Sequence, residues 1–263
     1  MMLSRYFFVL VILACLVLSS GCRMVLNEGA RGNGDLTTET RQVDSFDAVE
    51  LACQGDLVIS LGEREELVIR AESNLLEHIT SEVSGGELNL RAARGVNLRP
   101  TKSIRYELTV RSLEAISSTG SGDIVAPRLR SERMELRLTG SGDLDLEGLE
   151  TGDGSLRITG SGDAEIGRLV AEAFSLRITG SGDVKILDGE VQRFEAQVTG
   201  SGDCKAADLE TRTAKVRISG SGGVSVHVDE TLDCHISGSG DVRYSGDPDV
   251  DVTTTGSGRA KRR

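Results

Sequence analysis

Residues 134–146 read MELRLTGSGDLDL, and their alternation decides the fold. Leu136, Leu138, Gly140, Gly142, Leu144 and Leu146 share one phase, while Arg137, Thr139, Ser141, Asp143 and Asp145 share the other. A period of two is the signature of a strand with one buried face. The Gly-Ser-Gly triplet recurs from Gly120, Gly140, Gly160, Gly180, Gly200, Gly220, Gly238 and Gly256, at spacings of 20, 20, 20, 20, 20, 18 and 18. Around it the apolar phase continues through Leu156, Ile158, Ala164 and Ile166, then Leu176, Ile178, Val184 and Ile186, then Val216, Ile218, Val224 and Val226. Leu149, Leu169 and Leu209 each supply one further apolar residue to close a coil.

A fixed period near 20 marks a solenoid, in which each repeat buries its apolar face against its neighbours. Helical repeats would need apolar residues three and four apart and few glycines, and the sequence has the opposite pattern. Leucine-rich repeats share the period, but their LxxLxL pattern and asparagine ladder are missing. The expected class is therefore all-β, a single-stranded parallel β-helix with one coil per repeat of about 20 residues. Its in-phase glycines mark either a sharp corner or a close approach to the next coil. The chain has 263 residues with no Trp and only 3% aromatics, which excludes a core built on large rings.

Earlier residues read as less regular coils. Val49, Leu51, Cys53, Gly55, Leu57, Ile59 and Leu61 alternate with polar residues, and Gly32, Asn33, Gly34 and Asp35 imitate a first triplet. Between Glu66 and Ala92 the pattern predicts a strand, a short helix capped by Ser73 or Asn74 and carrying Leu75, Leu76 and Ile79, and a second strand. Such an element would cap one end of the stack. The predicted organisation is a signal segment at 1–21, a flexible linker at 22–33, irregular coils with the cap at 34–118, regular TGSGD coils at 119–258, and a disordered basic tail at 259–263.

The N-terminus carries Arg5, an apolar run from Tyr6 to Leu18, then Ser19, Ser20, Gly21 and Cys22. Thirteen apolar residues suit a signal peptide and fall short of the ~20 needed to span a bilayer. Small residues before a cysteine resemble the lipobox of bacterial lipoproteins, which implies lipidation at Cys22 and a membrane partner through that lipid. Leu18 lies one place further back than the usual apolar residue, with Ser19 in its slot. Ordinary cleavage and an uncleaved anchor are the competing readings. In a Gram-negative cell Arg23 lacks the aspartate that retains lipoproteins at the inner membrane, so the resemblance implies the outer membrane. Cys53, Cys204 and Cys234 fall at apolar slots without CxxC or CxxH spacing, which predicts core packing rather than zinc.

The tandem TGSGD segments follow SFDAVEL with GDLVIS, AESNLLEHITSEVSGGELNLRA and YELTVRSLEAISSTGSGDI. In combination these resemble the bacterial family of auto-transporter adhesin heads called the GIN domain, across roughly residues 31–258. The resemblance implies a right-handed parallel β-helix, secretion or lipoprotein anchoring, and an adhesive or binding role. It supplies no catalytic residues and no cofactor.

Stacked coils place Asp123, Asp143, Asp163, Asp183 and Asp203 in one outward column, broken at Gly223 and resumed at Asp241. Carboxylates about 4.8 Å apart repel by roughly 1 kcal/mol in water and about 3.5 kcal/mol at an effective dielectric of 20. Compensation is available from amides of each glycine turn or the Ser121, Ser141, Ser161, Ser181 and Ser201 column. A column of Arg137, Arg157, Arg177 and Arg217, interrupted by Gln197, is a second source, and calcium bridging the coils a third. Calcium-binding GGxGxDxUx repeats have 18-residue coils, whereas five of seven spacings here are 20. Local capping with mixed ion pairs is the expectation, with no metal site.

An enzyme of the polysaccharide lyase or hydrolase kind is the rival class. Its candidate irregularities are His227 and His235, neither with a carboxylate partner evident in the sequence, and Lys185 and Lys205, which share the outward slot of Asp145, Glu165 and Arg243 and read as charge variation on a solvated face. No nucleophile motif is present, so no catalytic residue is assigned. A net charge of −11 disfavours nucleic acid. Between Thr119 and Gly258 there are 25 acidic and 14 basic residues, which favours cationic over acidic partners. Phe174 and Phe194 recur one period apart, as coil packing does, so sugar recognition by surface stacking is disfavoured. The ladders of Thr, Ser and Asp remain able to hydrogen-bond. The reading is a non-enzymatic, envelope-anchored β-helical protein with an adhesive or scaffolding role toward a cell-surface polymer or protein.

Overall fold

A computed structural model describes residues 29–263. The predicted signal segment and Cys22 lie outside the described residues. The N-terminal part contains β1 (Ala30–Arg31), β2 (Leu36–Arg41), β3 (Ala48–Ala52), β4 (Asp56–Leu61) and β5 (Glu66–Glu72), then a single 3-10 turn (Leu76–His78). It continues with β6 (Ile79–Ser84), β7 (Glu87–Ala92), β8 (Leu98–Arg99) and β9 (Arg105–Val110). The repeat region holds β10 (Ala115–Ser118), β11 (Ile124–Gly140), β12 (Leu144–Gly160), β13 (Ala164–Gly180), β14 (Val184–Ile186), β15 (Gly189–Gly200) and β16 (Cys204–Gly220). The last coils are formed by β17 (Val224–Gly238), β18 (Asp241–Ser245), β19 (Asp249–Gly256) and β20 (Arg259–Arg262).

Parallel pairing joins each coil to the same phase of the next, so equivalent residues stack in columns. Val49, Ile116, Leu136, Leu156, Leu176, Ala196, Val216 and Cys234 form one interior column. Leu57, Ile124, Leu144, Ala164, Val184, Cys204, Val224 and Val242 form another. These side chains are buried, and Phe174 stacks on Phe194 with ring centroids 6.5 Å apart. Cys204 and Cys234 thus occupy slots where their neighbours are aliphatic, as the phase predicted. Burial pushes both thiols up to about 12, which keeps them protonated and unreactive. The change from 20 to 18 residues falls between β16 and β17, where the register skips between Ala206 and Glu210 and again between Thr211 and Thr213.

The repeating corner explains the triplet. Gly160 has φ +129° and Gly162 does not need a left-handed backbone, yet neither tolerates a side chain. A Cβ on Gly160 would stand 2.2 Å from the Gly140 carbonyl oxygen, and one on Gly162 would stand 2.1 Å from that of Gly142. With no Cβ in the way, the Ser161 amide donates to the Gly140 carbonyl at 2.9 Å, and the Ser181, Ser201 and Ser221 amides repeat the bond.

The capping end differs from expectation in its parts. The predicted helix is only the 3-10 turn: Ile79 already begins β6, and no side chain caps the turn. Asn74 instead donates to the Arg31 carbonyl at 2.8 Å, and Ser73 accepts from the Asn33 side chain at 2.8 Å. The stack is closed by antiparallel strands, β2 on β5 on β9 along one side and β6 on β7 along another. Arg41 ties the two edges together by donating from β2 to the carbonyls of Ile79 at 2.7 Å and Leu76 at 2.9 Å. Ala30 and Arg31, predicted as flexible linker, pair in parallel with Leu98 and Arg99. Residues 32–35 are no degenerate coil but a turn into β2. The Gly34 amide meets Glu72, a fully buried carboxylate that accepts from Gly34 N at 2.6 Å and from Thr101 N and Oγ1 at 2.8 and 2.6 Å. At the other end, the tail predicted to be disordered forms β20, because Arg259–Arg262 stack in parallel on Asp241–Tyr244 of the preceding coil.

Three outcomes are expected. Gly162→Ala should lower stability by about 1–3 kcal/mol in chemical unfolding through overpacking against Gly142. Gly223→Ala, whose Cβ would meet only the Asp203 carboxylate at 3.2 Å and nothing else closer than 3.6 Å, should stay within about 0.5 kcal/mol. The hydrogen bond from the Thr101 hydroxyl, followed by the surrounding amides, holds the Glu72 carboxyl at about 2 against an ordinary 4.5, over the opposing effect of burial. A depressed native pKa contributes stability above pH 4.5 that is lost as the pH falls toward 2. Glu72→Gln should therefore lower the melting temperature at pH 7 and flatten the acid limb between those values. An unchanged acid limb would show that Glu72 does not drive it.

Candidate functional site

The Asp column performs a structural task different from the one predicted. Each carboxylate reaches across to the next coil rather than to its own glycine turn or the Ser column. The Asp143 amide donates to Asp123 Oδ1 at 2.9 Å, Asp163 to Asp143 at 2.8 Å, Asp183 to Asp163 at 2.7 Å and Asp203 to Asp183 at 2.8 Å. Gly223 breaks the column but still donates to Asp203 at 2.8 Å. The main-chain carbonyls of the same residues accept from the coil before, for example from Leu144 N to Asp163 O at 2.9 Å. Each Asp thus staples its own coil to both neighbours.

Lysines offset part of the accumulated charge. Lys205 Nζ lies 3.0 Å from Asp183 Oδ2 and 4.0 Å from Asp203 Oδ2, and Lys185 lies 3.4 Å from Glu165. Burial acts to raise the Asp183 carboxyl, but the Asp203 amide and Lys205 outweigh it and hold it below the usual value. The Asp183 bond in turn raises the Lys205 ammonium. Among the described residues no group of three or more His, Cys, Asp and Glu side chains is placed to hold a metal ion.

The histidines have partners that the sequence did not reveal. His227 Nδ1 lies 3.0 Å from Ser245 Oγ and its Nε2 lies 3.1 Å from Asp229 Oδ1, while His235 Nδ1 lies 3.0 Å from Asp233 Oδ1. Both carboxylates sit two residues along the same strand, a spacing that shares one face of a strand and was readable in principle. Ser245 comes from the next coil. A hydrogen-bonded serine, histidine and aspartate thus meet at His227. Asp233 also lines the groove beside Phe174 and Phe194, and His235 lines a second groove with Gln197 and Arg217.

The face before the glycine corner is a flat parallel sheet with three outward columns. Thr139, Thr159, Thr179, Thr199, Ser219, Ser237 and Thr255 make an exposed hydroxyl row. Arg137, Arg157, Arg177, Gln197, Arg217 and His235 make the middle row. Glu135, Ser155, Ser175, Glu195, Lys215 and Asp233 make the third. That third row forms a wall of an axial groove of about 750 Å³ that extends past Phe174 and Phe194. Arg137 pairs with Glu135 and Arg217 with Glu195, each at 2.5 Å. Adjacent guanidiniums one coil apart otherwise repel by roughly 1 kcal/mol in water and more where water is excluded.

These features define a parallel β-solenoid whose side chains form long surface ladders. Residues 45–167 and 147–248 match the sequence model of the family described as "Putative auto-transporter adhesin, head GIN domain", and the chain belongs to that family. No curated protein gives a significant sequence match. Among solved structures, a "Putative lipid binding protein" from Parabacteroides distasonis ATCC 8503 is similar over 90% of this chain and 100% of its own, with 27% identity and a TM-score of 0.85. A "putative adhesin" from Parabacteroides merdae ATCC 43184 matches 89% of this chain and 99% of its own, with 21% identity and a TM-score of 0.86. Another from Bacteroides fragilis NCTC 9343 matches 89% of this chain and all of its own, with 20% identity and a TM-score of 0.69. The last two likenesses are of fold.

Removing one staple measures the Asp column. Asp163→Ala leaves the Asp183 amide without its acceptor and should cost about 0.5–1.5 kcal/mol. Asp163→Asn keeps an Oδ1 and should cost less. Thermal midpoints in excess calcium and in chelator should coincide for the wild type, since a cation bound only by the folded state would raise the midpoint.

Proposed function

We propose that this protein is a non-enzymatic binding module of the bacterial cell envelope, tethered by a lipid on Cys22 and presenting its ladder faces to a surface ligand. The observation that carries the reading is the flat sheet face before the corner. Its Thr, Ser and Arg columns take no part in closing the core and stand open across successive coils. Membership of a family described as an adhesin head supports a binding role, and the lipid-binding name of the 27% identical neighbour also points to binding rather than turnover. The first described residues pack at the capped end, against Leu98 and Arg99, so a tether from Cys22 would enter there and leave the repeat coils projecting away. No helix of the described residues is long and apolar enough to cross a membrane. The cluster of Ser245, His227 and Asp229 is what a hydrolytic reading would rest on. Asp229 is exposed, so the cluster lacks the enclosure that acyl or glycosyl transfer uses.

Metabolic labelling with a fatty-acid analogue should mark the wild-type protein and not Cys22→Ser, and the variant should leave the membrane fraction. Protease added to intact cells should remove the repeat coils of the wild type if they face outward. Equal labelling of both proteins would refute the lipid anchor, and full protection from protease would refute surface presentation.

A further inference from the structure

The middle column of the flat face is uniform in chemistry but not in pairing. Arg137 has Glu135 on its own strand, Arg217 has Glu195 on the preceding coil, and His235 has Asp233. At the two rungs between Arg137 and Gln197 the neighbouring carboxylate positions are filled by Ser155 and Ser175. Arg157 and Arg177 consequently stand one above the other, exposed, with no ion pair among the described residues. Thr159 and Thr179 flank them on one side and the two serines on the other. Across the groove wall that those serines form, Arg193 is likewise without an ion pair among the described residues.

Two like charges one rung apart without an ion pair are a cost to the folded protein, and the carboxylates of the Asp column and of Glu135 and Glu195 are taken up by coil staples and by other cations. We propose that Arg157 and Arg177 form a binding site for a linear polysaccharide that carries acid groups along its chain, laid parallel to the solenoid axis. The proposal deepens the surface-binding reading and rests on it. A guanidinium fork matches a carboxylate or phosphate oxygen pair, and successive rungs offer such forks at about 4.8 Å, the spacing of neighbouring strands. The flanking hydroxyl rows supply donors and acceptors for sugar hydroxyls between the acid groups. An acidic peptide fits less well, because extended peptides are recognised at a sheet edge, whereas these rungs lie inside the sheet with strands paired on both sides. Nucleic acid is disfavoured by the net charge of −11 and by the burial of Phe174 and Phe194, which keeps these rings from serving as a stacking platform. The sequence-level expectation of cationic partners holds for the acidic repeat region as a whole, and this patch is a local reversal of sign within it.

The test uses the full-length protein in non-ionic detergent, titrated with oligogalacturonate of about ten sugars. Its arms are the same chain methyl-esterified to neutrality, inorganic polyphosphate, and polyglutamate. Oligogalacturonate should bind, the esterified chain and polyglutamate should not, and affinity should fall as salt is raised. Arg157→Gln with Arg177→Gln should weaken binding at least tenfold at a melting temperature equal to or above that of the wild type, while Arg137→Gln should change binding less than twofold. If polyphosphate binds and oligogalacturonate does not, the acid groups of the polysaccharide are phosphates, and a phosphorylated glycan must bind with the same dependence on Arg157 and Arg177. Binding of neither acid, equal binding of polyglutamate, or binding indifferent to the double substitution overturns the site. The envelope reading is judged separately, because lipid labelling and protease accessibility do not depend on these arginines.

Discussion

The absence of a Cβ at the Gly-Ser-Gly corner is the constraint on which the rest of the structure depends. At Gly162 the carbonyl oxygen of the preceding coil occupies the place where a Cβ would stand 2.1 Å away, and the same contact recurs at Gly182, Gly202 and Gly222. Glycine permits the coils to approach until the seryl amide of one reaches the glycyl carbonyl of the last. That bond sets the register at one point of every turn. With the register set, the alternation on either side can only place like on like, so the interior becomes columns of Leu, Ile and Val and the exterior becomes columns of charge and hydroxyl.

Columns of like charge are the cost of such a fold, and the protein offsets them in two ways. The Asp column is made useful: each side chain accepts an amide from the next coil, and Lys185 and Lys205 neutralise part of what remains. In the Arg column Arg137 pairs with Glu135 on its own rung and Arg217 with Glu195 one rung away, while Arg157 and Arg177, whose rungs carry Ser155 and Ser175, have no ion pair among the described residues. One column stabilises the solenoid through bonds that need an acid at nearly every rung. The other contributes nothing comparable to closure, so its residues are free to vary, and its unpaired rungs are where the surface retains charge for another molecule.

The regular coils were legible because their information is local. Period two, a fixed repeat and a glycine pair identify the strand, the buried phase and the corner without knowledge of any distant residue, and Cys204 and Cys234 followed from their phase alone. The cap was misread because it depends on pairings between distant segments. Leu36–Arg41 finds Leu67–Glu72 antiparallel, and Arg41 crosses to carbonyls of Leu76 and Ile79. Antiparallel strands satisfied by such contacts compete with the helix that the spacing of Leu75, Leu76 and Ile79 predicts, and only one tight turn survives. The polar tail failed for the opposite reason. Arg259–Arg262 carry only Ala260 in the apolar phase, yet its packing on the core and the ladder of β18 are enough to order them.

The candidate site was legible only as inventory. The Arg, Thr, Ser and Asp columns could be written down from the repeat, but their roles depend on which atom each side chain reaches. An Asp that bonds its own turn and one that bonds the next coil have the same sequence, and distinguishing them requires the distance from Asp163 N to Asp143 Oδ1. The same holds for arginines with and without partners, since Glu195 serves Arg217 a coil away rather than a neighbour in the chain. In a solenoid the residue adjacent in space is twenty positions away in sequence, so electrostatic meaning is carried between repeats rather than within one. The departures from perfect repetition, Ser155 and Ser175 in a column that holds Glu135 and Glu195, therefore carry more functional information than the repeat itself.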